Sequence, residues 1–232
     1  MSNFPLYYYA FLTVIVFVVS LKLSRKINIT LFSPFLIGLV ILAFILVAAH
    51  IPYHSYYQGN KVLNKLLGVS VVALAYPFYE QLPQIRRYWK SIVIISFFAT
   101  LFSMLSGALF TLLLGGDKAI LASVLPKSVT TPIAVAIATE INGEPSVTAV
   151  GVTIAGLTGS LFGLTLLNWL KIKNPKAIGL GMGAVSHALG TARLLESSIK
   201  MGSFSSISLV LCGVLSSFFA PLVMKIILLF MG

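Results

Sequence analysis

Apolar runs of about twenty residues recur from one end of this chain to the other, and they limit what it can fold into. The runs are Pro5–Leu21, Leu31–Ile51, Val62–Tyr79, Ile92–Leu114, Ala119–Ile141, Val147–Leu170, Ile178–Leu195 and Ile207–Met231. A helix needs about 20 apolar residues to cross the hydrocarbon core of a bilayer. A soluble domain with 58% hydrophobic and 9% charged residues would have too little polar surface to cover its core. We therefore predict an all-α, polytopic membrane helix bundle that forms a single domain over residues 1–232.

Positive charges are grouped between the apolar runs, and their grouping predicts sidedness. The clusters are Lys22/Arg25/Lys26, Arg86/Arg87/Lys90 and Lys171/Lys173/Lys176. The net charge of +11 forms no basic face, so we expect no nucleic-acid partner. The positive-inside rule places all three clusters in the cytoplasm. If every run crossed fully, the third cluster would lie outside, so one run between Ile92 and Leu170 must fail to cross.

The run Ala119–Ile141 is the best candidate for the segment that does not cross. It is interrupted at Pro126-Lys127 and again at Pro132. If the run enters and leaves the membrane on the outside, the third positive cluster lies in the cytoplasm with the other two. The acidic loop 140–145 then lies outside. Re-entrant backbone is tolerated at membrane depth only where protein or water surrounds it.

The same run carries the residues of a predicted anion site. Thr131 is predicted as an N-cap and Pro132 as the first helical residue, which would leave the positive end of a helix inside the membrane. Together with the ammonium of Lys127, such an end can hold a small carboxylate. The hydroxyls of Ser128, Thr130 and Thr131 would then bind a keto or hydroxyl oxygen. The alternative is a lysine near the membrane surface followed by an ordinary proline kink.

The run Ile178–Leu195 is predicted to be the second discontinuous segment. It contains His187, Thr191 and Arg193, together with the glycines Gly179, Gly181, Gly183 and Gly190. His187 and Arg193 are ionisable residues inside or beside a span, which indicates a functional site. We include them, together with Thr191, in the predicted substrate site. His187, whose unperturbed pKa is about 6.5, is the candidate for proton coupling. Close helix packing by the glycines, a structural contact for His187 and an Arg193–Glu196 pair remain open alternatives.

Other features add little chemistry. Residues 67–77 and 127–137 are similar proline-interrupted runs, which indicates an internal repeat of the kind that builds transporter sites. His50 and His54 lack a third ligand, so we expect no metal site. No nucleotide-binding or hydrolase motif is present. We therefore expect neither an enzyme nor a bound cofactor.

Several stretches resemble the LrgB/CidB family of bacterial membrane proteins. They are residues 56–59 (YYQG), 66–68 (LLG), 72–79 (VALAYPFY), 127–134 (KSVTTPIA) and 186–193 (SHALGTAR), with Glu196. The chain departs from the family pattern at residues 69–71, which read Val-Ser-Val, and at the Asn-Gly pair 142–143. The resemblance covers nearly the whole chain.

The resemblance implies a multi-pass protein of the bacterial cytoplasmic (inner) membrane with a small LrgA/CidA-like membrane partner. It implies two alternative functions, which are transport of monocarboxylates such as pyruvate, glycolate or glycerate, and holin-like control of murein hydrolases and lysis. The residues favour transport, because a holin needs only apolar spans that associate. We expect a homo-oligomer in which the two irregular segments meet near the membrane midplane.

Overall fold

The structure, a computed structural model, describes residues 4–27, 34–73 and 75–231, and no strand occurs in these ranges. The helices are α1 (Phe4–Ile27), α2 (Pro34–Ala48), α3 (Tyr53–Gly59), α4 (Lys61–Ala73), α5 (Ala75–Glu80), α6 (Leu82–Leu113), α7 (Lys118–Val124), α8 (Thr131–Glu140), α9 (Pro145–Trp169), α10 (Pro175–Ser197) and α11 (Ile199–Met231). The all-α prediction is confirmed.

Four of the described helices are long and apolar enough to cross a membrane. They comprise Tyr7–Lys26 in α1, Leu82–Leu113, Pro145–Trp169 and Ile199–Leu229 in α11. Helix α2 has 15 residues and measures about 22 Å, less than the roughly 30 Å hydrocarbon core. The predicted run Val62–Tyr79 divides into α4 and α5. The chain is thus a multi-pass membrane protein whose predicted runs are not all full spans.

The chain separates into two compact units, residues 1–72 and 73–232. In the first unit, Thr13 joins α1 to α3 through hydrogen bonds from its Oγ1 to Tyr56 Oη (2.8 Å) and Asn60 Oδ1 (3.0 Å). The second unit contains every residue of the predicted site. The prediction of one continuous domain stays a prediction.

In the second unit, α7 and α8 form a short hairpin. The chain enters it after the last residue of α6 and leaves it at the first residue of α9, and these two helix ends lie on the same side. Asp117 caps α7 by accepting a hydrogen bond from the amide of Ile120 at 2.8 Å. Residues 125–130 are not α-helical. After α8, the chain returns to α7, where the amide of Glu144 donates to Ser123 Oγ at 2.7 Å. Neither helix can span alone, because their 7 and 10 residues measure about 10 and 15 Å.

The tip of this hairpin reaches deep along α6. Lys127 contacts Ser103, which lies ten residues before the end of α6 at Leu113, or about 15 Å along the helix axis. Leu125 and Val129 belong to an apolar cluster that also includes residues of α6, α9 and α11. The break in the helix is therefore enclosed by protein, as non-helical backbone at membrane depth must be.

Helix α10 also folds back on itself. His187 interrupts it with φ 40° and ψ −133°. The contacts with α11 show the reversal: Met201 and Gly202 lie against Gly179 and Leu195 respectively, and Ser205 lies against Gly183 and bonds Thr191.

Because residues of both halves flank the same turns of α11, the two halves run antiparallel and α10 begins and ends on one side. The structure thus confirms that both predicted irregular segments are discontinuous. Their tips approach each other, since Ala184 lines the same small cavity as Ser128.

These reversals give a testable topology for the second unit. If α6, α9 and α11 cross while both hairpins return, Asp117 and Glu144 share one side and Lys173 lies on the other. In a Cys212→Ser background, a membrane-impermeant maleimide should label single cysteines at positions 117 and 144 from the same side. It should label a cysteine at position 173 from the opposite side. Opposite accessibility of positions 117 and 144 would contradict the hairpin.

The packing of α10 on α11 predicts different effects for two neighbouring glycines. A Cβ at Gly183 would overlap the backbone of Ser205, whereas nothing lies within 4 Å of a Cβ at Gly181. Gly183→Ala should destabilise the protein by about 1–3 kcal/mol, the usual cost of overpacking. Gly181→Ala should be neutral or slightly stabilising, because alanine favours helix. Thermal unfolding in detergent compares them, and equal melting temperatures would contradict the assigned packing.

Candidate functional site

Lys127 lies at the tip of the α7–α8 hairpin and points onto α6. Its Nζ donates to the carbonyl oxygen of Ser103 at 2.8 Å and lies 3.4 Å from Ser103 Oγ. Gly107 makes this position available, because a Cβ there would lie 2.7 Å from Nζ. The side chain is half-buried. No carboxylate of the described residues lies within ion-pair distance of it. Among the described residues, the ammonium therefore has only neutral polar partners, the carbonyl oxygen and Oγ of Ser103.

Three hydroxyl residues surround the start of α8. Ser128 Oγ hydrogen bonds to Ser103 Oγ. Thr130 is buried, and its Oγ1 has no hydrogen-bond partner. Thr131 and Pro132 are half-buried. A hydroxyl without a partner in the protein interior is costly, so the unpartnered Thr130 Oγ1 needs a physical explanation.

The predicted N-cap is wrong by one residue. The structure places Thr130, with extended backbone (φ −62°, ψ 145°), at the N-cap, so Thr131 is the first helical residue and Pro132 the second. Proline is compatible with either position, because none of the first four helical amides has an intrahelical partner. Thr130 does not cap with its side chain, which leaves both the hydroxyl and the helix end open.

A small cavity of about 10 Å³ lies beside Ser128, where α6, α10, α11 and the hairpin tip meet. Its lining comprises Thr100, Ser103, Met104, Leu125, Pro126, Ser128, Val129, Ala184, Cys212 and Ser216. This volume is about that of one water molecule. Thr100 Oγ1 and, one turn away, Ser96 Oγ are buried without a hydrogen-bond partner. The thiol of Cys212 is close enough to interact with the side chains of both residues. The cavity thus presents hydroxyl groups to a volume that holds one polar atom.

His187 occupies the tip of the α10 hairpin but is turned toward α9. Its Nε2 lies 2.9 Å from the carbonyl oxygen of Val152, and because a carbonyl only accepts, Nε2 carries the proton. Gly156 leaves room for the ring, since a Cβ there would overlap it. Thr191 Oγ1 donates to the carbonyl of His187 at 2.8 Å and hydrogen bonds with Ser205 Oγ at 2.7 Å. These contacts brace the reversal of α10.

Arg193 lies away from both tips, six residues beyond His187. Its Nη1 donates to Glu196 Oε2 at 3.0 Å, and the two side chains are 36% and 68% exposed. The structure therefore contains the Arg193–Glu196 pair that was one of the two sequence interpretations. The predicted site residues fall into three places: the α7–α8 tip, the α10 tip and the end of α10.

Sequence reasoning missed Ser103, Gly107, Thr100 and Ser216. A signal was present. Ser96, Thr100 and Ser103 recur at helical spacing within an apolar run, as do Ser208, Cys212 and Ser216. Small polar residues on one face of a membrane helix usually mark helix packing, so only the structure distinguishes cavity-lining from packing. The predicted repeat partner, residues 67–77, includes position 74 and side chains that lie outside the described residues.

Comparison with known proteins identifies relatives along nearly the whole chain. The profile of the LrgB-like family matches residues 13–226. An uncharacterized protein of Haemophilus influenzae is 49% identical over 230 residues, which is 99% of this chain and 100% of the relative. The uncharacterized protein YxaC of Bacillus subtilis is 40% identical over 212 residues, 91% and 92% of the two chains. The holin-like protein CidB of Staphylococcus epidermidis is 33% identical over 227 residues, 94% of each.

No solved structure matches significantly. The match of the family profile covers most of the chain, including both interrupted helices, and the relatives align over more than nine tenths of its length. This protein belongs to the LrgB-like family.

Proposed function

We propose that this protein carries small monocarboxylates, such as pyruvate, glycolate or glycerate, across the bacterial inner membrane. The observation that carries the proposal is the half-buried ammonium of Lys127, which has no carboxylate partner among the described residues. A charge removed from water requires compensation. A substrate carboxylate would supply it, and the open N-terminal end of α8 with the free hydroxyl of Thr130 adds to the attraction.

The neighbouring cavity supports a second contact with the substrate. It is separated from Lys127 only by Ser103, whose carbonyl binds the ammonium and whose hydroxyl meets Ser128. A keto or hydroxyl oxygen has the size of the water molecule that the cavity accommodates. A nearby ammonium disfavours a cation there and favours an oxygen lone pair. The site is thus suited to acids of two or three carbons.

His187 and Arg193 enter this proposal in different roles. His187 Nε2 is engaged with Val152, so a coupled proton would have to bind at Nδ1. Thr191 holds the backbone of His187, and we assign it to positioning. Arg193 would contribute to the site only after release from Glu196. A small LrgA/CidA-like membrane protein and further copies of the chain are the proposed partners.

A holin-like function is the second candidate, because relatives that are 33% identical over 94% of the chain carry the name holin-like protein CidB. Such a protein would associate through its exposed apolar helices and permeabilise the membrane or regulate lysis. It would need neither a lysine without a carboxylate partner nor a hydroxyl-lined cavity.

Replacement of Lys127 tests the carboxylate site. In liposomes that contain the purified protein, Lys127→Met should raise the KM for labelled glycolate or pyruvate about 10- to 100-fold. A charge-assisted hydrogen bond contributes about 1.5–3 kcal/mol, and each 1.36 kcal/mol is tenfold. The matched control is Lys118→Met, which removes an exposed lysine at the start of α7.

Competition separates the carrier from the pore in the same liposomes. Excess unlabelled monocarboxylate should slow entry of the labelled acid, whereas a small sugar should neither enter nor compete. Entry that fails to saturate, or wild-type kinetics in a folded Lys127→Met variant, would favour the holin-like function.

The second contact predicts a change in selectivity. Thr100→Val keeps the side-chain shape but removes the hydroxyl, so the preference for glycolate over acetate should fall about tenfold, the value of one good hydrogen bond. Acetate transport should be unchanged. Thr111→Val is the control, because its buried hydroxyl bonds the carbonyl of Gly107 within α6. Retained selectivity in Thr100→Val would exclude the cavity from substrate binding.

A further inference from the structure

Basic residues from three helices converge on one tyrosine at the end of the second unit opposite the α7–α8 hairpin. Lys176, at the start of α10, places its Nζ 3.6 Å from the ring centroid of Tyr88, and Arg87 Cζ lies 5.4 Å from the same centroid. Lys200, at the start of α11, is also close enough to interact electrostatically with Tyr88. We call Arg87, Tyr88, Lys176 and Lys200 the Tyr88 cluster.

The tyrosine is a fixed platform for these cations. Its ring packs against Phe204 of α11, with centroids 6.0 Å apart, and joins an apolar cluster with Ile92 and Leu180. The backbone of α6 is non-helical at Tyr88 (φ −122°, ψ 20°), which separates the first turns of α6 from the rest. The three cations therefore meet at a junction of α6, α10 and α11 rather than along one helix.

The cluster lacks compensating negative charge. None of its cations pairs with a carboxylate among the described residues. The chain has only five acidic residues. Glu80 interacts with Tyr76, and Glu196 pairs with Arg193. The others, Asp117, Glu140 and Glu144, lie at the hairpin end of the unit. Like charges grouped around one ring repel each other, so an anion from outside the chain would stabilise the junction.

The surroundings indicate what kind of anion it is. Trp89 and Ile199, which neighbour the cluster in sequence, are 54% and 79% exposed, and Lys90 lies 5.9 Å from the ring of Trp89. Phosphate beside hydrocarbon is the chemistry of a phospholipid, and tryptophan is typical of the membrane interface. Basic pockets between membrane helices on the cytoplasmic side bind anionic headgroups.

We propose that the Tyr88 cluster binds the phosphate headgroup of an anionic phospholipid. Arg87 can donate two parallel hydrogen bonds to phosphate oxygens, and Lys176 and Lys200 add point charges. The acyl chains would lie along the exposed apolar residues beside it. The positive-inside rule explains why the cations share a side, but it does not require three helices to direct them at one ring. The bound lipid would join the ends of α6, α10 and α11.

Fluorescence quenching tests this site in the full-length protein. The chain has two tryptophans, so Trp169→Phe leaves Trp89 as the single probe. In phosphatidylcholine vesicles that contain a small fraction of brominated phosphatidylglycerol, Trp89 should be quenched as if that lipid were enriched about tenfold. The same fraction of brominated phosphatidylcholine should show no enrichment. The additional quenching by brominated phosphatidylglycerol should decline as salt is added, because the site is partly exposed and its charges are screened.

Charge-matched variants locate the effect. Arg87→Gln with Lys176→Gln should abolish the enrichment, whereas Lys118→Gln with Lys225→Gln, two exposed lysines outside the cluster, should retain it. Equal quenching by both brominated lipids in the Trp169→Phe protein would overturn the proposal without any change to the cluster. Loss of the enrichment on addition of millimolar glycerol phosphate would also overturn it, because the ligand would then be a soluble phosphate.

Discussion

The requirement that backbone polar groups find partners inside a membrane controls this structure. In hydrocarbon, an uninterrupted helix satisfies its own amides and carbonyls, and every break must be compensated by protein or water. Besides the kink at Tyr88, the second unit of this chain contains helix breaks at residues 125–130 and at His187. The first break is enclosed by α6, α9 and α11, and the second is braced by α9 and α11. The two interruptions are possible because the long helices surround them.

The position of the Lys127 side chain follows from this enclosure of the first break. Residues 125–130 place Lys127 against α6, where Gly107 leaves room and the carbonyl of Ser103 accepts a hydrogen bond from its ammonium. A backbone carbonyl carries only a partial negative charge, so it orients the ammonium without neutralising it. The same break leaves the first amides of α8 without an intrahelical partner or a side-chain cap, and it leaves the Thr130 hydroxyl unpaired. Unpaired donors and an uncompensated cation occur together at this point, which is the physical basis of the proposed anion site.

Sequence alone predicted the helical membrane bundle and both interruptions, because hydropathy, proline and glycine are local signals. The sidedness of the three positive clusters also predicted that the run 119–141 is re-entrant. The sequence could not predict that α10 reverses at His187, because positive φ is uncommon for any non-glycine residue and no local signal singles out this one. Nor could it predict Ser103 as the partner of Lys127, since that contact depends on how far the hairpin reaches. The role of Arg193 stayed ambiguous, because its position in the sequence fitted both the predicted substrate site and a pair with Glu196.

His187 and Thr130 show that the two tips differ in how their polar groups are satisfied. A non-glycine residue in its conformation costs about 1–3 kcal/mol. The hydrogen bond to Val152 and the space left by Gly156 hold the ring in place and help to offset that cost. The α10 tip is therefore built around a residue whose polar contacts are satisfied, whereas the α7–α8 tip presents groups whose contacts are not. A pore that needs only apolar spans gains nothing from a strained reversal or from an uncompensated lysine. The uncompensated lysine is the cost that the proposed carboxylate site would offset, whereas the strain at His187 is offset within the protein.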